Sequence, residues 1–115
     1  MFKIMQNKIL IVDDEPDIRN LTSGILKDEG FDTCEAGDST DALVKVRTMN
    51  PSLILLDIWL QGSEIDGLSI LKIVKRDYPS IPILIMSGHG NIETAVQAIK
   101  DGAYDFIEKP FKSQR

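Results

Sequence analysis

The sequence is poor in cysteine: Cys34 is the only one among 115 residues. An intrachain disulfide is therefore excluded, and nothing indicates an oxidising compartment. The sequence also has no apolar run long enough to span a membrane, and residues 1–7 lack the long apolar stretch of a signal peptide. We therefore expect a soluble protein of the cytoplasm.

Basic residues are outnumbered, since 13 lysines and arginines stand against 18 acidic residues and the net charge is −5. An acidic protein is a poor partner for nucleic acids and membrane surfaces, which are themselves negatively charged. His89 is the single histidine, which disfavours a histidine phosphocarrier. The glycine loops of kinases and P-loop enzymes are absent from the sequence. The length fits one domain with one core.

Short, unbroken apolar runs alternate with segments of helical spacing. Such runs are typical of strands that are buried on both faces of a parallel sheet. The runs cover residues 9–12, 53–56 and 83–86, and weaker strands are predicted at Asp32–Ala36 and Asp105–Glu108. The alternation of strands and helices predicts a doubly wound α/β fold with right-handed crossovers. Five strands in the order 2-1-3-4-5 would make it flavodoxin-like.

Four helices are predicted between the strands from apolar residues at helical spacing. The first begins near Pro16 and ends near Gly30, and the second has Asp38 or Ser39 as its cap. The apolar positions of the four helices are Ile18, Leu21 and Ile25; Leu43, Val46 and Met49; Leu68, Leu71 and Val74; and Ile92, Ala95, Val96 and Ile99.

Chemically active side chains follow several of the predicted strands. Asp13 and Asp14 follow the first strand, Asp57 the third, Ser87 the fourth and Lys109 the fifth. Ligands of such sheets bind beyond the carboxyl ends of the strands. Converging carboxylates repel one another unless a cation offsets their charge, and an all-oxygen site suits Mg²⁺. Each acid alone is more often a turn residue or helix cap, and Lys109 with Asp57 could form a structural salt bridge.

With Asp13-Asp14, Asp57, Ser87 and Lys109-Pro110 in this order and spacing, the chain resembles the CheY-like receiver domain of two-component response regulators. The resemblance covers essentially the whole chain, residues 1–115. The stretches 86–91, 102–106 and 108–111 resemble the nitrogen-regulation type in particular.

The resemblance implies a phosphoryl-transfer role for this cluster. Asp57 is expected to accept a phosphoryl group from a partner sensor histidine kinase, as carboxylates do in aspartyl-phosphate chemistry. The implied cofactor is Mg²⁺, held by Asp13, Asp14, Asp57 and the backbone carbonyl of Trp59. Lys109 is expected to contact the phosphoryl oxygens as a point charge. Such a transfer depends on positioning and charge neutralisation, which so small a set can supply.

Other residues are implied in switching and in the lifetime of the phosphoryl group. Ser87 is expected to hydrogen-bond the phosphoryl group, and Phe106 to rotate as Ser87 moves. In the family, the residues two beyond the phosphoacceptor and two beyond the hydroxyl residue tune dephosphorylation, and here they are Trp59 and His89. A bulky indole beside Asp57 should hinder the attacking water. Without the resemblance, Ser87 and Phe106 are more often a strand-end hydroxyl and a core ring, and His89 an exposed loop residue.

The resemblance also predicts what surrounds this domain. The family has a fifth helix, but the chain stops five residues after Pro110, so we expect that helix to be absent. We expect residues 1–115 to be the N-terminal part of a longer response regulator, whose output domain controls transcription in a nitrogen-related process. The resemblance allows a homodimer, but the surface that most receivers use for dimerisation includes the fifth helix, so an oligomer of residues 1–115 could differ from that of the longer protein. The loop after Asp57 is longer than in most receivers and has Gln61 where most have proline.

Two other classes of function stay open. A phosphatase or phosphotransferase of the haloacid-dehalogenase type also uses an aspartyl intermediate, but it carries a second aspartate where this chain has Trp59. A phosphorylation-independent interaction domain with the receiver fold is the alternative. Domains of that kind usually lose an acid or the lysine, whereas this chain keeps Asp13, Asp14, Asp57 and Lys109. We therefore predict a switch module that assists its own phosphorylation and dephosphorylation, not a classical enzyme.

Overall fold

The computed structural model describes residues 7–60, 66–87 and 92–108, in which strands and helices alternate. None of the helices in these ranges has both the length and the apolar character needed to cross a bilayer. The described residues contain four helices, as the sequence predicts. Residues 109–115, which follow β5, lie outside the described residues. The elements are β1 (Lys8–Val12), α1 (Pro16–Asp28), β2 (Asp32–Ala36), α2 (Ser39–Met49), β3 (Leu53–Asp57), α3 (Gly67–Asp77), β4 (Ile83–Ser87), α4 (Ile92–Lys100) and β5 (Asp105–Glu108).

The five strands form one parallel sheet in the order β2-β1-β3-β4-β5, which confirms the predicted flavodoxin-like fold. β3 therefore lies between β1 and β4. Leu56 of β3 pairs with Val12 on one side and with Ile85 on the other. In this register the carboxyl ends of the three central strands reach the same edge of the sheet, where the candidate site is expected.

Apolar side chains of the strands enter two cores, because successive residues of a strand point to opposite faces. The larger core lies between the sheet and helices α2, α3 and α4, and it includes Leu56, Leu71 and Ile85. The second core lies under α1 and includes Ile11 and Met86. The unbroken apolar runs of the sequence are thus explained, since the central strands contact apolar side chains on both faces.

The helix ends follow local signals in the sequence. Asp38, one of the two predicted caps, accepts the backbone N–H of Asp41 at 2.9 Å at the start of α2. Asp66 caps α3 in the same way, through the N–H of Ser69 at 2.9 Å. Gly30 has a φ of 96°, a conformation that favours glycine, and follows α1 as predicted.

The apolar stripe predicted for α1 is not the buried face of that helix. Leu21 and Ile25 are 44% and 47% exposed, whereas Thr22 and Ser23 are buried. The Ser23 hydroxyl shares a hydrogen bond of 2.7 Å with the hydroxyl of Thr33 on β2. α1 therefore contacts the sheet partly through a polar pair, which apolar periodicity does not predict because a hydrogen-bonded hydroxyl can be buried at little cost.

Candidate functional site

Three carboxylates converge at the carboxyl edge of the sheet. Asp13 and Asp14 follow β1, and Asp57 is the last residue of β3. Each offers one carboxylate oxygen, and these oxygens all lie within 4.8 Å of one another. The structure thus brings together the three acids that were predicted to converge from their positions at the strand ends.

Asp13 is buried and is held through both its backbone and its side chain. Its backbone N–H donates to the carbonyl oxygen of Ala36, at the end of β2, over 3.1 Å. Its carboxylate oxygen Oδ1 accepts the N–H of Glu15 at 2.9 Å. The carboxylate is therefore anchored to the turn that leads into α1.

Arg19 of α1 contacts the same residue from another direction. Its Nη1 donates to the backbone carbonyl oxygen of Asp13 over 2.7 Å, and its Nε donates to Oε1 of Glu35 on β2 over 3.2 Å. The sequence does not predict a role for this arginine, because nothing in the sequence distinguishes it from an arginine on an exposed helix face. Only the packing of α1 against β1 and β2 brings it to the acids.

Asp57 is also buried, and the chain that follows it is closely packed. Its Oδ1 accepts the backbone N–H of Trp59 over 3.2 Å. The N–H of Ile58 donates to the carbonyl oxygen of Met86 over 3.1 Å, which continues the ladder between β3 and β4 past the acid. Gly67, the first residue of α3, approaches this segment so closely that a Cβ there would be 2.7 Å from the carbonyl oxygen of Asp57. The sequence signal for this contact is a glycine directly after the capping Asp66.

Ser87 and Phe106 lie on the strands beyond Asp57. Ser87 is buried and ends β4, one residue after Met86, which pairs with Asp57. On β5, Glu108 pairs with Ser87 and Phe106 pairs with Ile85. Phe106 is thus diagonal to Ser87 on the same face of the sheet, and it is partly exposed. This placement is compatible with a coupled movement of the two side chains.

The remaining predicted residues have different outcomes. Trp59 lies two residues after Asp57, and it is 53% exposed. Lys109 and His89 lie outside the described residues, as does Gln61 in the lengthened loop. Their predicted roles therefore stay predictions.

The donor set of the cluster fits a hard divalent cation. All three groups are carboxylates, and oxygen ligands are what Mg²⁺ prefers, whereas zinc sites usually include histidine or cysteine. Asp13 and Asp57 are buried and Asp14 is partly exposed. A cation held here would keep access to solvent on the Asp14 side, where water or phosphate oxygens can complete its coordination.

The sequence matches the family model of the response regulator receiver domain over residues 9–115. The chain is also 60% identical over 111 residues to the nitrogen assimilation regulatory protein NtrX of Azorhizobium caulinodans, a match that covers 96% of this chain and 24% of that protein.

Solved structures agree with this match. The receiver domain of NtrX from Brucella abortus has a TM-score of 0.88 and 59% identity, covering 90% of this chain and 87% of that chain. A longer NtrX chain from the same species has a TM-score of 0.90 and 57% identity, covering 94% of this chain and 24% of that chain. The chain spans about a quarter of the length of the curated relatives it matches, 24% and 22% for two of them.

Proposed function

The chain belongs to the family of response regulator receiver domains, and on that basis we propose that Asp57 accepts a phosphoryl group from a partner sensor histidine kinase in a Mg²⁺-dependent reaction. The domain then changes conformation and controls the output part of a longer protein. The observation that carries the proposal is the meeting of Asp57 with Asp13 and Asp14, whose ligand oxygens lie within 4.8 Å of one another at the edge of the sheet.

The transfer needs little covalent help from the protein. A carboxylate oxygen of Asp57 forms the bond to phosphorus while the bond between phosphorus and the kinase histidine breaks, and the leaving imidazole keeps that electron pair. Bound Mg²⁺ supplies charge neutralisation between the acids and the phosphoryl oxygens. The hydrogen bond from the Trp59 N–H to Oδ1 orients the carboxylate during the attack.

The other residues of the site have supporting roles. Asp13, Asp14 and the backbone carbonyl of Trp59 complete the set that holds Mg²⁺ with Asp57. Lys109 contacts the phosphoryl oxygens, and Ser87 hydrogen-bonds them. Phe106 rotates as Ser87 moves, which the diagonal placement on β4 and β5 supports. The phosphoryl group thereby alters the surface of β4 and β5.

The output and the partners follow from the relatives. The chain spans 24% of the NtrX protein that it resembles, and we infer that it is the N-terminal receiver of such a regulator, with control of nitrogen-related transcription as its output. The kinase is the partner that supplies the phosphoryl group, and a homodimer is a second form of association. The net charge of −5 disfavours direct contact of this domain with nucleic acid or a membrane, and the cytoplasm is the proposed location.

Intact mass spectrometry tests the proposal. The chain is incubated with acetyl phosphate, with and without Mg²⁺, beside the Asp57→Asn variant. We expect the mass of one phosphoryl group to be added only when both Mg²⁺ and Asp57 are present. Asp17→Asn is the matched control, because Asp17 is an exposed acid in the first turn of α1 and lies outside the cluster. It should gain the phosphoryl group as the wild type does.

Two results would contradict the proposal. If Asp57→Asn gains the same mass as the wild type, another residue is the acceptor. If the wild type gains no mass even at the shortest times, including when Mg²⁺ and a histidine kinase are supplied, the chain is instead an interaction domain that works without phosphorylation.

A further inference from the structure

Arg19 connects the acidic cluster to the edge strand of the sheet. From α1, its Nη1 donates to the backbone carbonyl oxygen of Asp13 over 2.7 Å. Its Nε donates to Glu35 on β2 over 3.2 Å. Glu35 is in turn held by α2, since its backbone carbonyl oxygen accepts a hydrogen bond from the ammonium group of Lys45. The guanidinium therefore contacts a part of β2 that is fixed from the opposite face of the sheet.

The contact with Asp13 fixes a peptide group that both acids share. The carbonyl of Asp13 belongs to the planar unit that joins it to Asp14. The peptide group before Asp13 is held as well, because its N–H donates to the carbonyl oxygen of Ala36 over 3.1 Å. With both flanking peptide groups fixed, the direction in which the Asp13 side chain leaves the backbone is fixed, and so is the position of the Cα atom that carries the Asp14 side chain.

We propose that Arg19 is a positioning residue for the metal site: its guanidinium orients the peptide between Asp13 and Asp14, so that their carboxylates meet beside Asp57. This inference rests on the proposed function, because it concerns how the cluster holds Mg²⁺. Arg19 contacts a backbone atom and a neighbouring acid, and it acts on the ligands only through the peptide that it orients.

The positive charge of Arg19 and its hydrogen bonds predict opposite effects of its removal on Mg²⁺ binding. A guanidinium near a cation site repels the cation, so its removal should tighten Mg²⁺ binding if charge were all that mattered. The carboxylate of Glu35 lies 3.2 Å from Nε and offsets part of that charge. A positioning role predicts weaker Mg²⁺ binding when Arg19 is removed, so the sign of the change separates the two accounts.

Gly37 gives a second way to disturb the same contact. A Cβ at Gly37 would be 3.0 Å from Nη1 of Arg19, the nitrogen that donates to Asp13. Gly37 is not among the described glycines with positive φ, so alanine meets no backbone strain there. Alanine at this position therefore requires the guanidinium to shift by a few tenths of an ångström, without changing any charge or removing any side chain.

The experiment measures the Mg²⁺ dissociation constant of each variant. Trp59 is the single tryptophan and lies two residues after Asp57, so its fluorescence reports the titration, and calorimetry checks it. We expect Arg19→Gln to raise the dissociation constant about tenfold, as the loss of a residue that orients metal ligands does. Gly37→Ala should raise it by a smaller factor, and Arg19→Lys should restore part of the loss.

Arg47→Gln is the matched control, because it removes the same charge from an exposed position. Arg47 lies in the last turn of α2, and crossover helices run antiparallel to the strands, so it lies toward the opposite edge of the sheet. The Mg²⁺ dissociation constant of the Arg47→Gln variant should equal that of the wild type. The urea midpoint of each metal-free variant is recorded, so that a general loss of stability is not mistaken for a change in affinity.

An unchanged or lower dissociation constant for Arg19→Gln overturns the inference. If that variant does not fold, Gly37→Ala decides, and an unchanged constant there overturns it equally. A wild-type chain that binds no Mg²⁺ would overturn the proposed function together with this inference, whereas normal binding by the wild type with unaffected variants would overturn the inference alone.

Discussion

Gly67 lies directly against the backbone of Asp57: a Cβ at Gly67 would be 2.7 Å from the carbonyl oxygen of Asp57. The same Cβ would be 2.7 Å from the carbonyl oxygen of Ile58. α3 therefore begins in contact with the segment that carries the proposed phosphoacceptor, and only glycine fits at this point.

Gly67→Ala is expected to destabilise the domain and to displace Asp57. Backbone atoms cannot rotate away as the end of a long side chain can, so the strain of the added methyl group should cost about 1–3 kcal/mol or more. Urea unfolding measures the loss, and phosphorylation by acetyl phosphate should slow in the variant that remains folded.

Gly24→Ala is the matched control for that substitution. Gly24 lies inside α1, and a Cβ there meets no atom within 4 Å. Alanine should raise the unfolding free energy by about 0.5–1 kcal/mol, because glycine is a poor helix former. Equal effects of the two substitutions would show that the close approach of Gly67 has no influence on stability.

Asp14→Asn should have opposite effects without and with Mg²⁺. Without the ion, one source of repulsion among the three carboxylates is removed, and the urea midpoint should rise. With Mg²⁺ at about 100 times its dissociation constant, the unfolding free energy of the wild type should rise by about 2.7 kcal/mol. The unfolding free energy of the variant should rise much less. A midpoint that Mg²⁺ raises equally in both would exclude Asp14 as a ligand.

Asp17→Asn separates this effect from a general loss of acidic charge. Asp17 lies in the first turn of α1, where a carboxylate favours the helix by about 0.3–1 kcal/mol. Its removal should lower the midpoint slightly and leave the gain from Mg²⁺ intact.

Trp59→Asn should shorten the lifetime of the phosphoryl group severalfold. The bulky indole beside Asp57 is expected to hinder the water that attacks the phosphorus, while the backbone N–H that donates to Asp57 is present in either residue. Release of inorganic phosphate from the phosphorylated chain measures the lifetime. Tyr104→Asn is the control, because it makes the same replacement of an exposed aromatic residue elsewhere. The backbone N–H of Tyr104 donates to the carbonyl oxygen of Ile83, at the start of β4. A lifetime that is unchanged or longer in Trp59→Asn would contradict the prediction.

Cys34 should react slowly with iodoacetamide at mildly alkaline pH. Burial on β2 raises the pKa of its thiol, and this effect outweighs the opposing attraction of Lys8 and Lys45. A raised pKa leaves less of the reactive thiolate at any pH below it, so the folded chain should react more slowly than the chain in urea. Mass spectrometry follows the reaction, and equal rates in the two states would contradict the prediction.

The sheet and its acidic edge could be predicted because short-range patterns determine them. The apolar run at residues 9–12 requires burial on both faces, and it ends where Asp13 begins. Once parallel strands are inferred, Asp13 and Asp57 must approach each other, because the carboxyl ends of neighbouring strands share one edge.

The contacts that hold this edge in place could not be predicted in the same way. Arg19 reaches Asp13 only because α1 packs across β1 and β2, and no pattern in the sequence encodes that angle. The hydroxyl pair of Ser23 and Thr33 has no periodic signal, since its two members come from different elements. The capping residue Asp66 before Gly67 indicates the start of a helix in the sequence. The backbone that Gly67 contacts is known only from the fold.

The site combines parts of the chain that are made at different times. Asp13 and Asp14 leave the ribosome early, but they meet Asp57 only when β3 has paired with β1, after two helices and β2 have been synthesised. A ligand that needs all three acids therefore binds only a chain whose central sheet is complete, and such binding draws newly made chains toward the folded state. A half-made or unfolded domain therefore lacks the assembled acidic cluster on which the proposed phosphoryl transfer depends.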